Sequence, residues 1–138
     1  MSIIFGIAAL ALQPGVTTTS AIPAAQPAPV EADIARSARD WLTLVDAGRW
    51  PESWRATGES FRALNTAEAW TRASEQARVP LGAMVSRADL SREWVPAPPY
   101  GYEMVKFRTS FANRPGVVET LTLVREGQAW RVVGYTID

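Results

Sequence analysis

The chain has 138 residues, with 14 basic and 14 acidic side chains, no His and no Cys. Without those two residue types there is no Ser-His or Cys-His nucleophile system, no thiolate chemistry and no zinc finger or three-histidine zinc site. All charges lie from Glu31 onward and cancel, and the arginines from Arg36 to Arg131 are interleaved with acids, so no basic stripe marks a nucleic-acid partner.

Residues 1–21 read as a signal-peptide-like leader. Ile3–Leu12 is an almost wholly apolar run, too short for a spanning helix of ~20 residues but suited to a signal-peptide core. A basic stretch before it is missing, and Thr19-Ser20-Ala21 is an acceptable small-residue cleavage site. The expectation is a periplasmic or secreted protein with no membrane span in the mature chain, and not a lipoprotein, since lipidation needs a Cys. Residues 22–31 form a Pro/Ala-rich linker. Residues 32–138 are one domain, long enough to support a single core without disulfides or metal.

Within that domain, Ile34, Ala38, Trp41, Leu42 and Val45 recur at helical spacing and predict a first helix over about 32–47. Pro51 opens a short, bent second helix that Gly58 interrupts. Asn65 and Glu68 have the spacing of a capping box, which predicts a third helix over about 66–78 with Trp70, Ala73 and Ala77 on its buried face. After Pro80 the period changes to two. Met84, Ser86, Ala88, Leu90 and Trp94 predict the buried parity of a first strand, and Glu103–Phe111, Val117–Arg125 and Trp130–Ile137 predict three more. The result is an α+β domain, about three helices packed on a curved four-stranded antiparallel sheet.

Pairing Phe111 with Val117 and Arg125 with Gln128 makes one sheet face consistently apolar. Glu119 is the exception on that face, placed between Thr109 and Gly134, with the glycine leaving room beside it. A carboxylate on the core side must be paired, hydrogen-bonded, near an open rim, or functional. Tyr135, Val133, Ile137 and Met104 fall on the opposite face by the same count, an apolar outer surface that would suit a homodimer or another partner.

The segments Trp41–Trp50, Arg78–Gly82, Thr109–Asn113, Glu119-Thr120 and Gly134-Tyr135 resemble the bacterial domain-of-unknown-function family four-zero-one-nine over nearly all of residues 32–138. The order of elements is similar to the nuclear-transport-factor-two-like cone folds. That resemblance implies architecture only, because cone folds host isomerases, dehydratases and plain binding modules alike.

Two functional readings remain. The favoured one is a non-enzymatic exported domain that binds a small apolar or amphipathic ligand or a protein partner, with Arg78, Arg87, Trp130 and Tyr135 as ligand-binding candidates. The alternative is a cone-fold enzyme of isomerase, dehydratase or hydrolase type, with Glu119 as general base and Arg78, Arg87 or Tyr135 as the electrophilic contact. It requires a pocket that reaches Glu119. Both arginines also have a plain structural reading, in which they tie the end of the third helix to the sheet through Glu119 or Asp46. Trp41, Trp54, Trp70 and Trp130 read as packing residues, whereas Trp50 and Trp94 lie near element ends where an indole can anchor a ligand. There is no Gly-rich phosphate loop and no calcium-loop spacing, so no cofactor or metal is implied.

Overall fold

The computed structural model describes residues 29–138; the leader and all of the linker before Pro29 lie outside the described residues. Helix α1 spans Pro29–Asp46, α2 Trp50–Arg55, α3 Glu59–Leu64 and α4 Ala67–Arg78, and a 3-10 turn at Val79–Leu81 leads into the strands. Strands β1 (Met84–Val95), β2 (Tyr102–Phe111), β3 (Arg114–Glu126) and β4 (Ala129–Ile137) form an open antiparallel sheet in the order β1-β2-β3-β4. Among the described residues no helix is long and apolar enough to cross a membrane.

Helix α1 already includes Pro29–Glu31, ahead of the stretch that its apolar spacing predicts. Its stripe of Ile34, Ala38, Trp41, Leu42 and Val45 is buried against Val105, Phe107, Leu121, Leu123 and Val132 of the sheet. Each large side chain so buried contributes roughly 1.5–3 kcal/mol. A smaller cluster of Leu81, Phe111 and Val117, covered by Ile137, closes the other end.

Helix α4 departs from expectation in two ways. Its N-cap is Thr66, whose hydroxyl accepts from the Ala69 N–H at 3.1 Å, while Asn65 instead hydrogen-bonds back to the Phe61 carbonyl and ends α3. Its buried face carries Ser74 and Arg78, one turn apart and both nearly inaccessible, whereas Ala73 and Ala77 are exposed. The small apolar residues therefore mark the wrong face, because Arg78 is held inside by long-range partners invisible to local spacing, and Ser74 lies one turn before it on the same side.

The sheet differs from the simple period-two reading at its bulges. The β2–β3 turn is tighter than expected, with Phe111 opposite Arg114, and an extra residue is absorbed at Pro115-Gly116, where Gly116 adopts φ 70°. The β2–β3 pairing is offset by two residues, so Glu119 sits opposite Phe107 on β2, and on β4 it sits opposite Ile137, three residues beyond the expected Gly134. An offset of two preserves parity, and Glu119 still points inward. In β4 a bulge at Val133 (Thr122 pairs with Gly134, but Leu123 with Val132) reverses the parity of the residues after it. Tyr135 opposite Leu121, and Ile137 opposite Glu119, thus face the helices and not the outer surface. Gly134 stands opposite Thr122 on the far side, not beside Glu119.

Strand β1 is the largest correction. Ten of its twelve residues are exposed. Arg87 lies opposite Thr109 and Asp89 opposite Phe107, so it is the charged parity that faces the helices, while the parity of Ser86 and Ala88 looks outward. Bulges at Val85 and Leu90 break the alternation that the sequence pattern assumes.

Candidate functional site

Two constellations gather the residues with chemical potential, one at each end of the sheet. The first lies inside, between α1, α4 and the strands. Glu119 is fully buried, as are Thr109 and all but a sliver of Arg78. Glu119 Oε1 accepts from Arg87 Nε at 2.9 Å and from the Thr109 hydroxyl at 2.5 Å, with Arg87 Nη2 at 2.8 Å. Its Oε2 accepts from the Tyr135 hydroxyl, with Arg78 Nη1 at 4.0 Å. Asp46, at the end of α1, takes both Nη groups of Arg87, at 2.8 and 3.0 Å, and Nη2 of Arg78 at 2.7 Å. Arg78 also donates to the Tyr135 hydroxyl at 3.3 Å and lies over the Phe111 ring, 4.6 Å from its centre.

Two guanidinium cations thus meet two carboxylates, and the cluster is neutral. Burial works to raise the Asp46 carboxyl, but hydrogen bonds and charge from Arg87 and Arg78 prevail and hold it below the ordinary aspartate value. Burial likewise opposes the Arg87 charge, and the two carboxylates outweigh it, raising its pKa. Burial and the Glu119 charge push the Tyr135 phenol well above its usual range, so it stays protonated and donating. An aromatic wall of Trp41, Trp70 and Tyr135, with ring centres 5.3–6.5 Å apart, fills the space beside the cluster. Trp41 and Trp70 anchor their indole N–H groups on the carbonyl and hydroxyl of Ser53, both at 2.9 Å.

The structure therefore brings together Glu119, Arg78, Arg87 and Tyr135, and adds Asp46 and Thr109. What they can do chemically is limited. Both oxygens of Glu119 are engaged, and Glu119 lines none of the five clefts described for residues 29–138. A general base needs a free lone pair within reach of a substrate proton. Both arginines are committed to internal carboxylates rather than open as a fork. Among the described residues no cluster of three Asp or Glu side chains is suited to hold a metal.

The second constellation is open. At the end of the sheet where the β1–β2 and β3–β4 connections meet, Trp94, Tyr100, Gly101, Arg125, Gly127 and Trp130 line a cleft of about 490 Å³, the largest of the five. Trp94 is 51% and Tyr100 80% exposed. The Arg125 guanidinium lies 6.0 Å from the centre of the Trp130 ring. Gly101 adopts φ 78°, and a Cβ there would run into the Trp94 ring, so glycine is required for the indole to lie where it does. Trp130 combines both roles the sequence offered, since it packs against the core and also borders this cleft. Tyr100, Arg125 and Gly101 carry no signal of their own in the sequence, whereas Trp94 and Trp130 stand out there as candidates.

These features define a class, helices on one side of an open antiparallel sheet in a cone-like α+β fold. Aln2 from a Streptomyces species is similar in fold, with a TM-score of 0.52 at 13% identity, over 81% of this chain and 92% of that one. At that identity the likeness is one of architecture alone. Residues 37–135 match the family described as a protein of unknown function, DUF4019, and the chain belongs to that family. No curated protein matches the sequence.

Proposed function

We propose that this protein is a non-enzymatic, exported binding domain that takes a small amphipathic ligand in the cleft of Trp94, Tyr100 and Trp130. The observation that carries the reading is the contrast in accessibility. The interior acid is fully engaged, whereas exposed indole and phenol rings converge on an open concavity with a guanidinium at its wall. Aromatic rings offer large apolar area at low conformational cost, and Arg125 adds a charge for an acidic group on the ligand. Export rests on the apolar Ile3–Leu12 run.

Anilinonaphthalene sulfonate, a flat apolar body with one anionic group, is a suitable probe. Saturable binding to the folded chain is expected, lost in Trp94→Ala and weakened in Arg125→Gln, with thermal melts unchanged. Absence of saturable binding, or binding that survives Trp94→Ala combined with Tyr100→Ala, overturns the reading.

A further inference from the structure

The sheet has two edges, and the chain treats them differently. At β4 the backbone N–H of Gly58 donates to the Val132 carbonyl at 2.8 Å and Thr57 bridges to the same residue, while Glu126 at the end of β3 accepts from the Glu59 N–H at 2.7 Å. That edge is met at Val132 by the segment between α2 and α3. At β1 no described segment pairs with the outer edge. Helix α1 reaches the strand through side chains, Arg39 to Asp89 and Glu31 to Arg92. Val85, Leu90 and Trp94 are exposed along it, at 67%, 43% and 51%. A long unpaired edge is a template for another strand.

We propose that β1 pairs antiparallel with β1 of a second copy, about a two-fold axis between Leu90 and Ser91, joining two sheets into one. The occupant is chosen by charge complementarity. In this register Asp89 stands opposite Arg92 of the second copy, and Arg92 opposite its Asp89, while Arg87 meets Trp94 and Ala88 meets Glu93. The faces agree as well: Arg87, Asp89, Arg92 and Trp94 pair with Thr109, Phe107, Val105 and Glu103, all buried and helix-facing. The bulge at Leu90 makes this agreement, because it brings Asp89 and Arg92, three residues apart, onto one face. Shifting the axis onto Ser91 sets Asp89 against Glu93, two like charges on different faces. In the chosen register Arg39, Asp89, Arg92 and Glu31 of the two copies alternate in sign across the junction.

Sedimentation velocity of the full chain over a wide concentration range tests the proposal. A dimer is expected for the natural sequence. Asp89→Arg or Arg92→Asp alone places like charges together twice per dimer and should raise the dissociation constant by about tenfold or more, while the two changes together should restore it. Circular dichroism of each variant checks that it is folded. The proposal fails if the natural chain stays monomeric at hundreds of micromolar, if neither reversal weakens the dimer, or if the double exchange does not restore what the single changes removed.

Discussion

The two ends of the helix-facing side of the sheet hold similar amounts of chemical potential and use it in opposite ways. Around Glu119, charges and hydroxyls turn on one another until neither oxygen of the carboxylate is spare. Around Trp94 and Tyr100, apolar rings are left facing solvent although burying them would be favourable. The buried ion cluster offsets its desolvation cost through these mutual contacts, with Arg78 Nε alone among its guanidinium nitrogens left buried without a partner, and it ties α1 and α4 to the sheet. An aromatic surface left uncovered is where a ligand can supply the burial the fold does not.

The comparison can be broken first at Glu119. Glu119→Ala leaves Arg87 and the Tyr135 hydroxyl without their shared acceptor in a dry interior and should destabilise the fold by about 3–5 kcal/mol, measured by urea unfolding. Tyr135→Phe removes one donor to that carboxylate while keeping the ring against Trp41, and a loss of about 1–3 kcal/mol is expected from the same measurement. Thr66→Ala, which strips the cap of α4 and so loosens the helix that carries Arg78, should cost about 1 kcal/mol. At the open end the order reverses: Trp94→Ala should change stability by less than about 1 kcal/mol yet abolish probe binding, the outcome that separates a recognition surface from a core.

A titration sharpens the same contrast without changing a residue. The Asp46 carboxyl is held below its ordinary value, so its contribution to stability is present above ~3.9 and is lost as pH falls through the folded-state value. The Tyr135 phenol is raised, so its contribution is present below ~10 and declines as pH rises beyond that. Thermal melts should therefore show an acid and an alkaline limb, the latter absent in Tyr135→Phe. Equal alkaline loss in that variant would remove Tyr135 from the account.

Much of this was legible in the residues themselves. Period-two alternation in β2 and β3 points Glu119 inward even though its β2 partner is offset by two, because parity survives an even shift. Helical spacing identifies the α1 core stripe almost residue for residue. Hydrophobicity also carries Met84, Ala88 and Leu90 to the wrong conclusion, since an edge strand has little to bury them against and its inward positions are claimed by Arg87 and Asp89.

What the sequence by itself determined is the class of fold, the order of its elements, the inward carboxylate and the chemistry ruled out by the lack of His and Cys. The tertiary structure alone decided which guanidinium and hydroxyl groups that carboxylate would meet, that Tyr135 joins it, and which aromatics remain open. The physical reason is common to these cases. A bulge at Val133, Leu90 or Pro115-Gly116 adds residues to a strand and shifts the pairing of every side chain beyond it, and an ion pair between Asp46 and Arg78 or Arg87 joins positions far apart in the chain. Neither leaves a local pattern, because both are settled by what the rest of the molecule places opposite.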